Sequence, residues 1–404
     1  MMNYDLVVIG AGLAGMTTAL KALQQGQKTI VVAAGAGAME VMSGCLDICG
    51  GDDNPWLALR RLVAEKPAHP YALLSEEEIR EALAFFVEQI KGACPYYHQS
   101  GFRNFRIPTA LGGRRRACLL PEGQLAAATE GPVLAVGFKG YRDFSAELMA
   151  EGMNRVGYRW QATEVDTCCL QGGEGDGGRI CNNSVEIALR LERSWRLLAE
   201  ELSGRTRGFA AAAFPAVLGL DQHLTVKRGL EKSLGVSVFE APALPPSLPG
   251  MRLAASLAAR IRRGGGDLLQ GFPVVSADIQ GRMCRRIIVA TPGSPLSIGG
   301  KNFILASGGI LGGGILLERE RASEAVFNFP ASGFRRQASV FQTGVRVNRR
   351  MQPLAADGQV ILENVFCAGR ILAGYDPFSE GSGAGVAVAT GYRAAVEAGR
   401  MAEQ

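Results

Sequence analysis

The residues best equipped for chemistry in this 404-residue chain are glycines. Gly10-Ala-Gly12-Leu-Ala-Gly15 follows directly on the β-branched run Tyr4–Ile9. Glycine at the first position permits a tight turn. At the second it lets the backbone approach a diphosphate, and at the third it lets a helix lie close on a strand. A helix opening at Leu13 would turn free N–H groups and a positive dipole end toward that phosphate. Gly10, Gly12 and Gly15 are therefore expected to bind a nucleotide. One companion is missing. An acidic residue at the end of the second strand ordinarily holds an adenosine ribose, but Val32-Ala33-Ala34-Gly35 has none, and Glu40 lies beyond. Either backbone groups hold the ribose or no adenosine ribose is bound there. NAD is the poorer fit, and the choice of flavin nucleotide stays open.

Two later strings extend the pattern. Phe303-Ile-Leu-Ala-Ser-Gly-Gly309 reads as a strand ending in small residues, so that the backbone at Ser307 and Gly308 can cross close to a nucleotide. Asn364–Ala389 reads as a short strand, an Ala-Gly turn, Asp376 and a glycine-rich helix start. Asp376 is placed to accept from a ribityl hydroxyl. Gly381, Gly383 and Gly385 open a helix whose N–H groups would face a flavin ring carbonyl or a phosphate. Together the three strings outline an α/β fold: a Rossmann-like flavin-binding domain of the two-dinucleotide-binding-domain type.

The elements that must position these residues follow from periodicity. Tyr4–Ile9 and Lys28–Ala33 read as buried parallel strands around a helix from Leu13 to about Gln25, with Gly26 at its end. Residues 35–53 read as a loop with one short helix. Glu76–Lys91 is an amphipathic helix opened by Ser75 and Glu78 in a capping-box pattern. Residues 101–145 suggest a small β-rich insertion, Val185–Leu202 a helix, and Phe209–Leu220 a buried strand and loop. Met251–Arg263 is a helix stopped by Gly264-Gly-Gly266. Strands are expected at Asp267–Gln270, Pro273–Ile279, Arg285–Ala290 and Asn302–Ala306. The change of texture places the flavin-binding domain at 1–66 and 250–404, with 67–249 an inserted α+β cap or substrate domain.

Composition narrows the class. Hydrophobic residues make up 47% and charged residues 20%, enough to bury a core and to exclude disorder as the dominant state. Glycine, 53 residues, is well above the average share of roughly 7%, but with no G-X-Y period collagen is excluded. A net charge of +5 argues little for nucleic acid. Nine cysteines form no C-x-x-C, so no zinc or iron–sulfur box is expected. Neither Cys45/Cys49 nor Cys168/Cys169 forms one, and isolated thiols suit a reducing cytoplasm. No uninterrupted apolar run reaches membrane-span length, and Asp5 with no positive n-region argues against a signal peptide.

The chain resembles the B-subunit family of anaerobic glycerol-3-phosphate dehydrogenase, flavoproteins of the fumarate-reductase-like group, nearly end to end. The likeness rests on Ser43-Gly-Cys-Leu-Asp47, Pro67-Ala-His-Pro-Tyr-Ala-Leu-Leu74 and Leu244-Pro-Pro-Ser-Leu-Pro-Gly-Met-Arg-Leu253. It continues through Leu305-Ala-Ser-Gly-Gly309 with Glu318-Arg319, and Gly374-Tyr-Asp376-Pro-Phe-Ser-Glu-Gly381. It is weakest over about 150–210. The resemblance implies FMN as the cofactor, with FAD the alternative. It implies two partners in one complex: a larger, FAD-bearing subunit, and an iron–sulfur subunit that docks the complex on the inner face of the cytoplasmic membrane. The implied reaction is oxidation of sn-glycerol 3-phosphate to dihydroxyacetone phosphate. Electrons would pass to menaquinone and to fumarate or nitrate.

Further candidates come with the family strings. Ser43 lies where related flavoproteins approach the flavin phosphate and ring. His69 is the one histidine in a family string, and abstraction of hydride from a secondary alcohol calls for a base; a structural histidine beside Pro70 is the competing reading. Cys45 is either a redox thiol on a loop or inert packing, and Arg114-Arg115-Arg116 either meets a phosphate or an acidic partner, or is a solvated loop. Two other functions compete with the family reading: a stand-alone fumarate-reductase-like dehydrogenase, and a flavin-free scaffold for the larger FAD-bearing partner.

Overall fold

A computed structural model gives the fold and describes residues 2–35, 37–92, 94–125, 131–166, 183–242, 244–319, 321–334 and 339–402; Cys168 and Cys169 lie outside them. The chain divides into two compact units. One comprises Met1–Met39, Asp47–Ala93 and Ala254–Gln404, the other Glu40–Leu46 and Cys94–Leu253.

The first unit opens with β1 (Met2–Ile9), α1 (Leu13–Gln24) and β2 (Thr29–Ala33), with β1 and β2 parallel in the register Leu6 to Thr29. All five residues of β2 are buried, as expected of a parallel strand covered on both faces. After α2 (Pro55–Glu65), capped by Asn54, comes α3 (Glu76–Ile90) with the Ser75–Glu78 capping box in place.

The second unit has a four-stranded sheet. Its elements are β3 (Val133–Phe138), α4 (Ala146–Arg155), β4 (Trp160–Val165), α5 (Ser184–Glu201), β5 (Ala211–Pro215), α6 (His223–Leu234) and β6 (Ser237–Ala241). The strand order is β6-β5-β3-β4 and every pair is parallel. Phe138, Phe214 and Phe239 are fully buried in its core. Alternating strands and crossover helices make this unit α/β at heart, not the α+β arrangement expected from sequence. The β-rich texture of 101–145 survives as two small antiparallel pairs, Phe105–Pro108 with Arg114–Ala117 and Tyr96–Tyr97 with Leu120–Pro121.

The first unit resumes within α7 (Leu248–Arg263), followed by β7 (Asp267–Gln270), β8 (Val274–Gln280), β9 (Met283–Val289), β10 (Leu296–Leu305), β11 (Val365–Cys367), α8 (Pro377–Glu380) and α9 (Gly383–Ala402). Its sheet runs β7-β2-β1-β10-β9-β8, with β11 beside the last residues of β10. Strands β7, β2, β1, β10 and β11 are parallel, while β8 and β9 form an antiparallel meander. Helix α9 lies against α1 at close range. Thr18 Oγ1 donates to Gly391 O at 2.9 Å, and a Cβ on Gly391 would come 2.5 Å from Ala14 O.

Residues 67–93, assigned from sequence to the inserted segment, belong to the first unit. The reason is α9: Phe85 meets the Tyr392 ring at 5.2 Å, and Glu78 pairs with Arg393. Nothing in the helical pattern of 76–91 announces that distant partner.

Candidate functional site

The parallel strands β2, β1, β10 and β11 end side by side, and their following loops hold most of the glycines singled out above. In open α/β sheets, ligands bind outside such carboxyl ends. Gly10 turns with φ +113° and donates to Val32 O at 2.8 Å. A Cβ there would strike Ala306 O at 2.2 Å, so the end of β1 lies directly against the end of β10. Gly15 is equally constrained, with its Cβ position 1.9 Å from Gly10 O. Gly12 differs. It is the N-cap of α1, carries no side-chain cap, and a Cβ there would meet nothing within 4 Å. That open, uncapped helix start fits a nucleotide phosphate. Gly37, after β2, brings its backbone close beside Gly12, its Cβ position 3.5 Å from Gly12 Cα. Ser307 and Gly308, the latter at φ +86°, form the turn after β10. The Ser307 hydroxyl is buried with no hydrogen-bond partner among the described residues, an orphan that suits a site for a polar ligand. These features fit a flavin nucleotide.

The start of α9 departs from the sequence expectation. Its N–H groups were expected to face a flavin carbonyl or phosphate. Instead Asp47 takes two of them: Oδ1 accepts from Ala384 N at 3.1 Å, and the Asp47 carbonyl accepts from Gly385 N at 2.7 Å. Gly385 is glycine because a Cβ would sit 2.2 Å from the Tyr71 hydroxyl. Gly381 ends α8 at φ +58°, against Gly50, and Gly383 abuts Pro377. Asp376, expected to accept from a ribityl hydroxyl, is the N-cap of α8, with its Oδ1 accepting from Phe378 N at 3.0 Å and Ser379 N at 3.4 Å.

His69 is fully buried and held at both ring nitrogens. Nδ1 accepts from Tyr71 N at 3.0 Å, which makes Nε2 the donor to Glu380 Oε2 at 3.1 Å. The ring stacks on Tyr71, centroids 5.0 Å apart, and meets Tyr375 edge-on at 5.5 Å. A neutral imidazole has one lone pair, and here it points at a backbone N–H. The geometry assigns His69 a structural role rather than that of the base. Glu380 is the centre of this cluster, bonded also by Lys66 Nζ at 2.6 Å and Ser382 Oγ at 3.1 Å. Burial pushes against its charge, yet the hydrogen bonds from His69 and Lys66 outweigh it and hold the carboxyl down at about 2.

The remaining candidates lie in the second unit. Ser43 Oγ accepts from Arg115 Nη1 at 2.8 Å and from Cys45 N at 3.3 Å. Cys45 is buried, and its thiol donates to Gln124 Oε1 at 2.6 Å, which favours packing over redox chemistry. Arg114–Arg116 form a paired strand, not a loop, and Arg114 lies over the Tyr158 ring. Sequence reasoning assigned no role to Asp47, Glu380 or Arg370, although each sits in or beside a string it quoted. Ala384 and Gly385 for Asp47, Lys66 and His69 for Glu380, and Phe341 for Arg370 lie far along the chain, so no local spacing signals those contacts.

Residues 5–386 match the family described as FAD binding domain. A curated relative from Actinobacillus pleuropneumoniae, named as the B subunit of anaerobic glycerol-3-phosphate dehydrogenase, is 28% identical over 98% of this chain and 99% of its own length. A relative from Halobacterium salinarum, named as the probable B subunit of the same dehydrogenase, is 31% identical over 98% of both. Among solved structures, the 3-ketosteroid-delta4-(5alpha)-dehydrogenase of Rhodococcus jostii matches with TM-score 0.43 and 12% identity, over 98% of this chain and 97% of that one.

Proposed function

The chain belongs to the FAD-binding-domain family and, within it, to the B-subunit family of anaerobic glycerol-3-phosphate dehydrogenase, and from that membership we propose how its site works. It is a flavoprotein subunit of a multi-subunit dehydrogenase. The flavin lies across the carboxyl ends of β2, β1, β10 and β11, with its phosphate at Gly12. The observation that carries this reading is the open helix start at Gly12 beside the closed Gly10–Ala306 contact. When bound, the flavin supplies two-electron redox chemistry. The chain's own part is to bind and orient it: Gly12 and the first turn of α1 toward a phosphate, and the turn at Ser307 and Gly308 toward the ribityl chain.

A family described by FAD supports FAD rather than the FMN that the resemblance implied. The end of β2 at Ala33-Ala34-Gly35 has no carboxylate, so backbone groups hold the adenosine ribose. The complex oxidises sn-glycerol 3-phosphate to dihydroxyacetone phosphate, and electrons leave through menaquinone toward fumarate or nitrate. A larger FAD-bearing subunit, together with an iron–sulfur subunit, completes it at the inner face of the cytoplasmic membrane. Among the described residues of this chain, no helix is long and apolar enough to cross a membrane and no side-chain group could hold a metal ion.

The test is to purify the chain, alone and with its partner subunits, record its visible spectrum and identify the flavin released on denaturation. Released FAD supports the reading. Released FMN returns the cofactor to the first expectation. A chain that stays colourless even with its partners overturns it in favour of a flavin-free scaffold.

A further inference from the structure

Arg370 follows β11, two residues past the loop position where that strand meets the end of β10. Its guanidinium lies against the turn after β10: a Cβ on Gly309 would come 3.3 Å from Arg370 Cζ. Nη2 donates to Phe341 O, and the group sits over the rings of Tyr375 and Phe341 at 5.3 and 6.0 Å. Nη1 is sealed from solvent and makes no hydrogen bond of good geometry; the Tyr375 phenol is the polar side chain beside the guanidinium, and among the described residues no carboxylate forms an ion pair with Arg370. The side chain is part-buried, and a cation held partly out of water without a counter-charge carries a desolvation cost that the carbonyl bond and the two rings offset only in part. Tyr375 feels the charge of Arg370 first, and those of the carboxylates Glu380 and Asp47 after it. Both are matched already, Glu380 by Lys66 and Asp47 by the start of α9. That same Asp47 removes the α9 dipole as a source of positive potential.

We propose that Arg370 is the fixed positive charge that sets the reduction potential of the bound flavin. The inference rests on the flavin reading above. Two-electron reduction of a flavin with uptake of one proton adds one negative charge to the ring. A part-buried guanidinium just past the carboxyl end of β11 would stabilise that charge through space. The potential is thereby raised, so the chain accepts electrons more readily.

The experiment uses the flavin-loaded full chain, with potentials measured against redox dyes and with sulfite titrations, since sulfite addition places the same negative charge on the ring. Wild type should show saturable bleaching by sulfite. Arg370→Gln should keep its flavin by absorbance but bind sulfite at least tenfold more weakly, with a potential lower by about 30 mV, the equivalent of tenfold for a two-electron couple. Arg370→Lys, which keeps the charge, should retain most of both. A flavin-loaded Arg370→Gln with unchanged potential and sulfite affinity overturns the proposal, as does an Arg370→Lys that falls as far as the glutamine variant. Should the glutamine variant fail to fold, the wild-type titration decides, because a flavin that sulfite does not bleach has no such charge beside it. A colourless wild type in the complex overturns the flavin reading itself; a yellow one with indifferent variants overturns only the role of Arg370.

Discussion

His69 donates through Nε2 to Glu380 Oε2 at 3.1 Å while its other nitrogen is tied to the backbone N–H of Tyr71. The pair joins the loop before α3 to the end of α8 within the first unit, and Lys66 completes it. Glu380 titrates at about 2, below its ordinary 4.5. A carboxyl depressed on folding contributes stability above the unfolded value, and that contribution is lost as pH falls through the folded one. Thermal stability should therefore decline between about pH 4.5 and 2 through this group, by on the order of 2 kcal/mol. Glu380→Gln should already be less stable at pH 7 and should show a flatter acid limb. An unchanged acid limb would remove Glu380 from the account.

The same geometry separates structure from catalysis at His69. His69→Gln should cost about 1–3 kcal/mol of stability through its lost buried hydrogen bonds, read as a drop in Tm, with turnover of the assembled complex changed only a few-fold. A loss of kcat of about 10²-fold or more at unchanged Tm would restore the histidine as a base.

Gly10 and Gly12 make opposite predictions although they belong to one motif. Gly10→Ala forces a Cβ to 2.2 Å from Ala306 O at φ +113°, so it should cost more than the about 1–3 kcal/mol of backbone strain alone. At Gly12 a Cβ meets nothing and φ is −74°. Gly12→Ala should fold within about 0.5 kcal/mol of wild type but bind flavin at least tenfold more weakly, by fluorescence titration. Equal flavin binding would displace the phosphate from this turn.

The first βαβ segment was legible because each element is decided locally: a β-branched run, a glycine turn, an apolar-faced helix. The tight turn at Gly10 and the close helix–strand contact at Gly15 were legible for the same reason. The first half of β10 was not. The strand was expected only from Asn302, yet it begins at Leu296, and Ile298, Gly299 and Gly300 pair with Met2, Asn3 and Tyr4 of β1. The two glycines sit close against β1: a Cβ on Gly299 would meet Asn3 Oδ1 at 2.4 Å and one on Gly300 would meet Val7 Cγ2 at 2.7 Å. Strand β5, Ala211-Ala-Ala-Phe-Pro, falls within the buried strand and loop expected over Phe209–Leu220, although its alanines have little strand propensity; parallel neighbours on both sides hold it. The contacts of the α9 start are not legible in its own string, because its cap is not the residue before it but Asp47, from another part of the chain.

That remote cap can be tested separately. Asp47→Ala removes the Oδ1 bond to Ala384 N and should cost about 1 kcal/mol, while Asp47→Asn keeps an acceptor and should lose only the charge–dipole part, about 0.3–1 kcal/mol. Both should retain flavin. A variant that keeps its Tm but loses its flavin would mean that the α9 start serves the cofactor after all.

The second unit rests on a buried ion pair that no motif announced. Arg252 and Glu240 are 6% and 1% exposed, and they meet at 2.5 Å (Nη1 to Oε2) and 2.9 Å (Nη2 to Oε1). Arg252 also binds Gly219 O through Nε at 2.9 Å, and Glu240 accepts from Leu218 N at 2.9 Å. Removing one partner strands the other's charge in the core, so Arg252→Met or Glu240→Leu alone should cost about 3–5 kcal/mol. The double substitution should recover much of that, because it strands no charge. His223, beside the pair, adds a spectroscopic check. Burial and the charge of Arg252 hold its pKa down to about 4. Without Arg252 that pKa should rise in an NMR titration, and a histidine that does not move would break the link between the two groups.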